Sequence, residues 1–347
     1  MAAAEKAEKD DGVPHPRETL SLYGHAEAEL AFLEAYRGAR MPHAWLIGGP
    51  RGIGKATLAY RMARFVFAHP DPSAAAVRAA TSLVLPPDNA AVRRVVARGH
   101  SDLLALERSI NPDTGKLRTQ IAVEDVRRTI GFFGSTAGEG GWRICIVDVA
   151  DELNAAGANA LLKILEEPPA KSLLLVASHA PGRMLPTIRS RCRRLALRPL
   201  EPADVAHAVA DALGRGPGEP DVKAAALAAD GSVARALDLV SGSGLAVREK
   251  VNAMLGALPT VNPRDLHALG DALGRGDEGA FTAFVDAVRD WLSARIIVKG
   301  AEPGRLVRMA DVWDRLNRAA REVETFNLER KPMVFNVFGW LAEAARG

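Results

Sequence analysis

The stretch GGPRGIGKATLA, residues 48–59, decides how this chain is read. From Gly49 it satisfies G-x-x-x-x-G-K, the spacing at which a glycine-rich turn and the next helix N-terminus present backbone N–H groups to phosphate. Gly49, Gly52 and Gly54 would shape that cradle, and Lys55 would bring a mobile charge to the outer phosphates. The following position, where a Ser or Thr hydroxyl ligates Mg²⁺, is Ala56. Thr57 does not replace it, because one step along a helix swings a side chain by about 100°. Such a loop can hold a nucleotide and is poorly equipped to cleave one. The plainer alternative is a glycine-rich strand-to-helix turn with an incidental lysine.

Five short apolar runs lie around the loop: AWLIG (44–48), DLLALE (102–107), WRICIVD (142–148), SLLLVAS (172–178) and RRLALR (193–198). They alternate with helical patterns, one of them running from about Lys55 through Ala68. Continuous apolarity suits strands covered on both faces, so the expectation is an α/β P-loop domain with a doubly wound parallel sheet. Ala158, Leu161, Leu162 and Leu165 recur at i, i+3, i+4 and i+7, and Pro168-Pro169 end that helix. Beyond Leu200 only helical patterns remain. They predict a small helical lid over 201–242 and an all-helical unit over 243–347 containing FTAFVDAVRDWLSARII (281–297) and LVRMADVWDRLNRAAREVE (306–324). Residues 1–18 read as a mobile tail and 19–200 as the sheet domain.

With 347 residues the chain has room for several cores, and 48% apolar and 25% charged residues are ordinary globular usage. A formal charge of +3 decides nothing about partners; only local clustering of Lys and Arg would. Cys145 and Cys192 are the only cysteines, too few for a disulfide framework or a four-thiolate zinc site. The charged start MAAAEKAEKDDG has no apolar signal core, and no apolar run approaches the roughly 18 residues of a membrane span, so the expected place is the cytoplasm.

A P-loop site is completed by an acid at the end of a neighbouring strand, and RICIVDVADE supplies Asp148, able to hold Mg²⁺ through water. The next position, where ATPases of this type place the glutamate that polarises water, is Val149. That general-base help is worth about 10²–10⁴-fold. Asp151 and Glu152 read as acids favouring the N-terminal end of the following helix. Two separate defects therefore point to lost hydrolysis. Further on, TIRSRCRRLALR gathers Arg189, Arg191, Arg193, Arg194 and Arg198. This is either a solvated basic face or a loop end from which one guanidinium reaches a phosphate on a neighbouring molecule, and spacing does not choose between them.

Three stretches, GHAEAELAFLEAYRGARMPHAWLIGGPRGIGKATLA (24–59), GANALLKILEEPP (157–169) and LLLVASHAPGRMLPTIRSRC (173–192), resemble the bacterial clamp-loader AAA+ proteins of DNA polymerase III, and within them the delta-prime branch. The resemblance is sharp over about 20–200 and looser beyond. Ser190-Arg191-Cys192 is its most diagnostic piece. It implies that Arg191 is an arginine finger offered in trans to ATP in an adjacent subunit, with Ser190 and Cys192 as its context. It also implies gamma/tau-type ATPase subunits and a delta subunit as partners, with the sliding clamp and primed DNA engaged through the assembled complex. No cofactor would be required, ATP or ADP would bind weakly if at all, and the C-terminal helices would form an oligomerisation collar. The family's nucleotide-sensing polar residue falls on Ser178 or His179. Its lid arginine falls near Ala234, with Arg235 one place off.

Departures from the family matter too. Many relatives carry four zinc-binding cysteines between the P-loop helix and the next strand, whereas 69–101 contains none, leaving His69 and His100 as surface or capped side chains and no zinc expected. Cys192 reads as a small buried side chain. Arg93, Arg94, Arg98, Arg127 and Arg128 are either solvated helix faces or DNA phosphate contacts. Trp291, Trp313, Phe335, Phe338 and Trp340 read as core or subunit interface. Two other functions stay open on sequence alone: an autonomous P-loop ATPase such as a helicase loader, and a scaffold binding no nucleotide.

Overall fold

The structure, a computed structural model, describes residues 14–38, 41–111, 118, 120–134, 138, 141–275, 278–296, 302–326 and 328–346. In chain order the elements are α1 (Ala26–Arg37), β1 (Ala44–Gly48), α2 (Lys55–Ala68), α3 (Ala75–Ala79), α4 (Ala90–Val96), β2 (Leu103–Leu106), α5 (Val123–Gly134) and β3 (Arg143–Val147). There follow α6 (Ala155–Glu166), β4 (Ser172–Ser178), α7 (Pro186–Arg191), β5 (Arg193–Ala196), α8 (Pro202–Leu213), α9 (Pro220–Ala228) and α10 (Val233–Ser241). The last five are α11 (Gly244–Gly256), α12 (Pro263–Arg275), α13 (Glu278–Ile296), α14 (Pro303–Phe326) and α15 (Arg330–Arg346).

All five apolar runs are strands of one parallel sheet in the order β2-β3-β4-β1-β5. Every residue of β1, β3 and β4 is buried, as continuous apolar runs require. Successive side chains alternate between two layers. Trp45, Ile47, Ile144, Ile146, Leu173 and Leu175 pack with Phe32, Tyr36, Leu58, Met62 and Phe65 of α1 and α2. Leu46, Cys145, Val147, Leu174 and Val176 pack with Val126, Phe133, Leu161 and Leu165 of α5 and α6. The sheet thus holds the C-terminal ends of β1, β3 and β4 side by side, which is where the loops of interest begin.

The chain divides into two compact units. The first comprises the described residues up to Gly218 with Asp230–Ala234, and the second comprises Glu219–Ala229 and the described residues from Arg235 on. The lid expected over 201–242 is accordingly shared out, with α8 belonging to the first unit and α9 and most of α10 to the second. In the second unit Phe284, Val288, Leu292, Leu316, Val334, Val337, Phe338 and Leu341 form one core, with Trp291, Trp313 and Trp340 half-buried against it. Phe335 meets the His267 ring at 4.8 Å between centroids. Arg235 and Arg248 both pair with Asp290, and Arg235 also with Asp286 at 3.3 Å, joining α10, α11 and α13.

Of the tail expected over 1–18, residues 14–18 are described. Residues 1–13 lie outside the described residues, but His15, Arg17 and Thr19 are bound to the first unit. His15 Nε2 meets Glu107 at 3.3 Å, and Arg64 of α2 donates to the carbonyls of Arg17 (3.2 Å) and Thr19 (2.9 Å). Arg17 is only 7% exposed. A buried arginine on α2 needs acceptors, and the segment before α1 supplies them as backbone carbonyls. Among the described residues no helix is long and apolar enough to cross a membrane.

Candidate functional site

β1 ends at Gly48 and the chain turns into α2 through Gly49, Gly52 and Gly54, whose φ values of 155°, 77° and 97° only glycine adopts without strain. The loop has the P-loop path, and its interior is taken up by the chain itself. Lys55 Nζ donates to the carbonyls of Gly49 (2.8 Å) and Pro50. Burial pushes the Lys55 ammonium down to about 8, against the opposing pull of Asp148 and Asp151. Above the loop, the Gly52 carbonyl accepts from the N–H groups of Val233 (2.8 Å) and Ala234 (3.3 Å). A Cβ on Gly52 would lie 2.2 Å from Ser232 Oγ and 2.8 Å from the Ala234 Cβ. The start of α10 therefore sits directly on the glycine turn.

The positions expected to sense nucleotide, Ser178, His179 and the lid residues, also bond within the chain. Asp151, in a short 3-10 turn after β3, accepts from Ser178 Oγ (3.0 Å), His179 N (2.6 Å) and Ala180 N (3.1 Å). It ties the end of β4 to the end of β3 rather than favouring the following helix, whose N-cap is Asn154 accepting from Gly157 N at 2.8 Å. Glu152 likewise pairs with Arg108 at 3.0 Å. Burial, then the charges of Lys55, Arg51 and Arg108, push His179 down to about 4 despite Asp151. Burial and Glu107 raise the Asp148 carboxyl, with His15, Lys55 and Arg108 pulling the other way. Arg235 is spent on Asp286 and Asp290 of its own unit, and Ala234 has no charge to offer.

Arg191 occupies a different setting. It is the last residue of α7, exposed, with Nη1 donating to the Thr187 carbonyl (3.0 Å) and Nη2 to Glu166 Oε1 (2.9 Å). The guanidinium is thus not free of its own chain. Both members of the pair stand at the surface, 36% and 51% exposed in their side chains, so it is no buried neutralisation. The neighbouring triplet residues anchor it. Ser190 Oγ donates to the same Thr187 carbonyl at 3.1 Å, and Cys192 is buried in the layer that holds Leu161 and Leu165 of α6, its thiol pushed up to about 11 by burial. Arg193 stacks over Trp45 at 5.0 Å, while Arg194 is exposed on the edge strand β5 and Arg198 is exposed just beyond it.

Other expected positions have structural work. His69 and His100 pack on Phe65 and Phe67 (4.9 and 3.7 Å between ring centroids). Of the basic helix residues, Arg98 pairs with Glu107 at 3.6 Å and Arg128 with Asp125 at 3.5 Å; Arg93, Arg94 and Arg127 are exposed. Sequence reasoning missed Asp151 as the strap of the β4 loop, Glu166 as the partner of Arg191, and the Ser232–Ala234 backbone as the cover of Gly52. Only Glu166 left a signal, a carboxylate on the last turn of a helix, the end whose dipole disfavours it.

Comparison with known proteins shows which family the chain belongs to. The chain is 37% identical over 154 residues to DNA polymerase III subunit delta' of Pseudomonas aeruginosa, covering 44% of this chain and 42% of that one. It is 32% identical over 165 residues to DNA polymerase III subunit delta' of Escherichia coli K12, covering 48% and 45%. Against DNA polymerase III subunit gamma/tau of Mycobacterium bovis the identity is 31% over 190 residues, covering 54% and 30%. The chain spans less than half the length of these relatives. Residues 24–201, just over half of the 347, match the family described as DNA polymerase III, delta subunit, and to that family the chain belongs.

Proposed function

We propose that this chain is the delta-prime subunit of a DNA polymerase III clamp loader, helping to place a sliding clamp on primed DNA without hydrolysing ATP itself. What supports this is a contrast between two cations: Lys55, the phosphate ligand of the chain's own loop, is spent on two carbonyls of that loop, while Arg191 stands exposed at the end of α7. A phosphoryl transition state needs positioned cations around it. In this chain the loop cation is turned inward, and Ala56 and Val149 remove the metal ligand and the water-polarising acid. The exposed guanidinium serves a triphosphate held by a neighbouring gamma/tau-type subunit, where an arginine in trans is worth about 10³–10⁵ in rate. The C-terminal helices act as the collar that joins neighbours, a delta subunit among them.

The chain alone tests the first half of this reading. Purified protein is expected to turn over no ATP above background, to bind ATP or ADP weakly or not at all by calorimetry, and to behave the same after Lys55→Ala. Turnover abolished by Lys55→Ala would mark an autonomous ATPase instead.

A further inference from the structure

We propose that Glu166 is the positioning residue for Arg191, fixing the guanidinium in the orientation in which it meets a neighbour's triphosphate. The inference rests on the reading of Arg191 given above. A lone arginine at a helix end samples many rotamers, and an effective finger must be held before the phosphate arrives. Two acceptors on two different elements do this here. The Thr187 carbonyl of α7 accepts a hydrogen bond from Nη1 at 3.0 Å, and Glu166 Oε1, from the last residue of α6, accepts one from Nη2 at 2.9 Å. Contacts at both terminal nitrogens set the plane of the group. A guanidinium carries five N–H donors, so the Nε proton and one on each terminal nitrogen stay available to phosphate oxygens. The pair therefore persists while the finger works.

The placement of Glu166 favours this role over a stabilising one. It lies at the C-terminal end of α6, where the helix dipole disfavours a carboxylate. An ion pair as exposed as this one adds little to stability. Helix α6 itself is fixed by the Asn154 cap at its start and by Leu161, Ile164 and Leu165 in the core, so the carboxylate is carried on a rigid element rather than a loop.

The test uses loader reconstituted with its ATPase subunits, clamp and primed DNA, and compares ATP turnover. Glu166→Ala is expected to lower kcat about tenfold, the low end of effects from contacts that orient a reacting group, with KM for ATP and the melting temperature of the free chain unchanged. Glu166→Gln, which keeps an acceptor oxygen, recovers most of the loss. In an Arg191→Ala background, Glu166→Ala changes nothing further. A kcat unchanged or raised by Glu166→Ala, no recovery with Gln, or an added loss in the Arg191→Ala background would each overturn the inference. If Arg191→Ala slows turnover and Glu166→Ala does not, this inference alone falls; if Arg191→Ala has no effect, the reading beneath it falls too.

Discussion

Residue by residue, the triplet Ser190-Arg191-Cys192 divides one helix end among three tasks. Cys192 buries, Ser190 ties the last turn to the Thr187 carbonyl, and Arg191 projects to solvent beside Glu166. His179 shows the same economy across the sheet, where its neutral ring lies among Lys55, Arg51 and Arg108, opposed by Asp151. Its folded-state value of about 4 lies below the ordinary 6.5, so between these pH values the folded chain binds fewer protons than the unfolded one. Stability from this group is therefore present above pH 6.5 and lost as pH falls toward 4. His179→Gln, which cannot titrate, should make the acid limb of a urea-midpoint against pH curve shallower over that window; a limb parallel to the wild type would show that the ring does not titrate as described.

Among the elements, the loop between β1 and α2 is held from three sides: by Lys55 within, by the start of α10 above, and by the Asp151 strap on the neighbouring β4 loop. Gly52→Ala places a Cβ against Ser232 and Ala234 in a left-handed backbone, and chemical denaturation should show a loss of about 2 kcal/mol. Asp151→Ala strands the Ser178 hydroxyl and two N–H groups. Its expected loss is about 1.5–3 kcal/mol, the range for hydrogen bonds to a charged group, with Asp151→Asn milder. Wild-type stability in either alanine variant would mean that these contacts do not hold the loop. The strands and the P-loop helix were legible because burial on both faces writes itself into continuous apolar runs, as in AWLIG, and because Gly54-Lys55 marks a helix start. The strap and the cover were not legible. Asp151 and Ser178, or Gly52 and Val233, meet only after the sheet has formed, and no local period encodes such pairs.

At the scale of the whole molecule, the proposed reading sets a loop lysine turned onto its own carbonyls against an exposed arginine offered to another subunit. Length and composition gave no hint of this, and the helical C-terminal patterns showed a core without showing what it joins. That Ala56 and Val149 stand where a P-loop ATPase places a hydroxyl and a glutamate was readable from position alone, because P-loop chemistry favours particular residue types there. The commitment of Lys55, Ser178 and Arg235 to their own chain needed coordinates. The most direct measurement is the ATPase rate of a loader reconstituted with gamma/tau-type subunits, delta, clamp and primed DNA, containing either wild-type chain or Arg191→Ala. The account predicts intact assembly by gel filtration and a turnover lower by about 10³-fold at the affected site; assembly intact with turnover unchanged would contradict it.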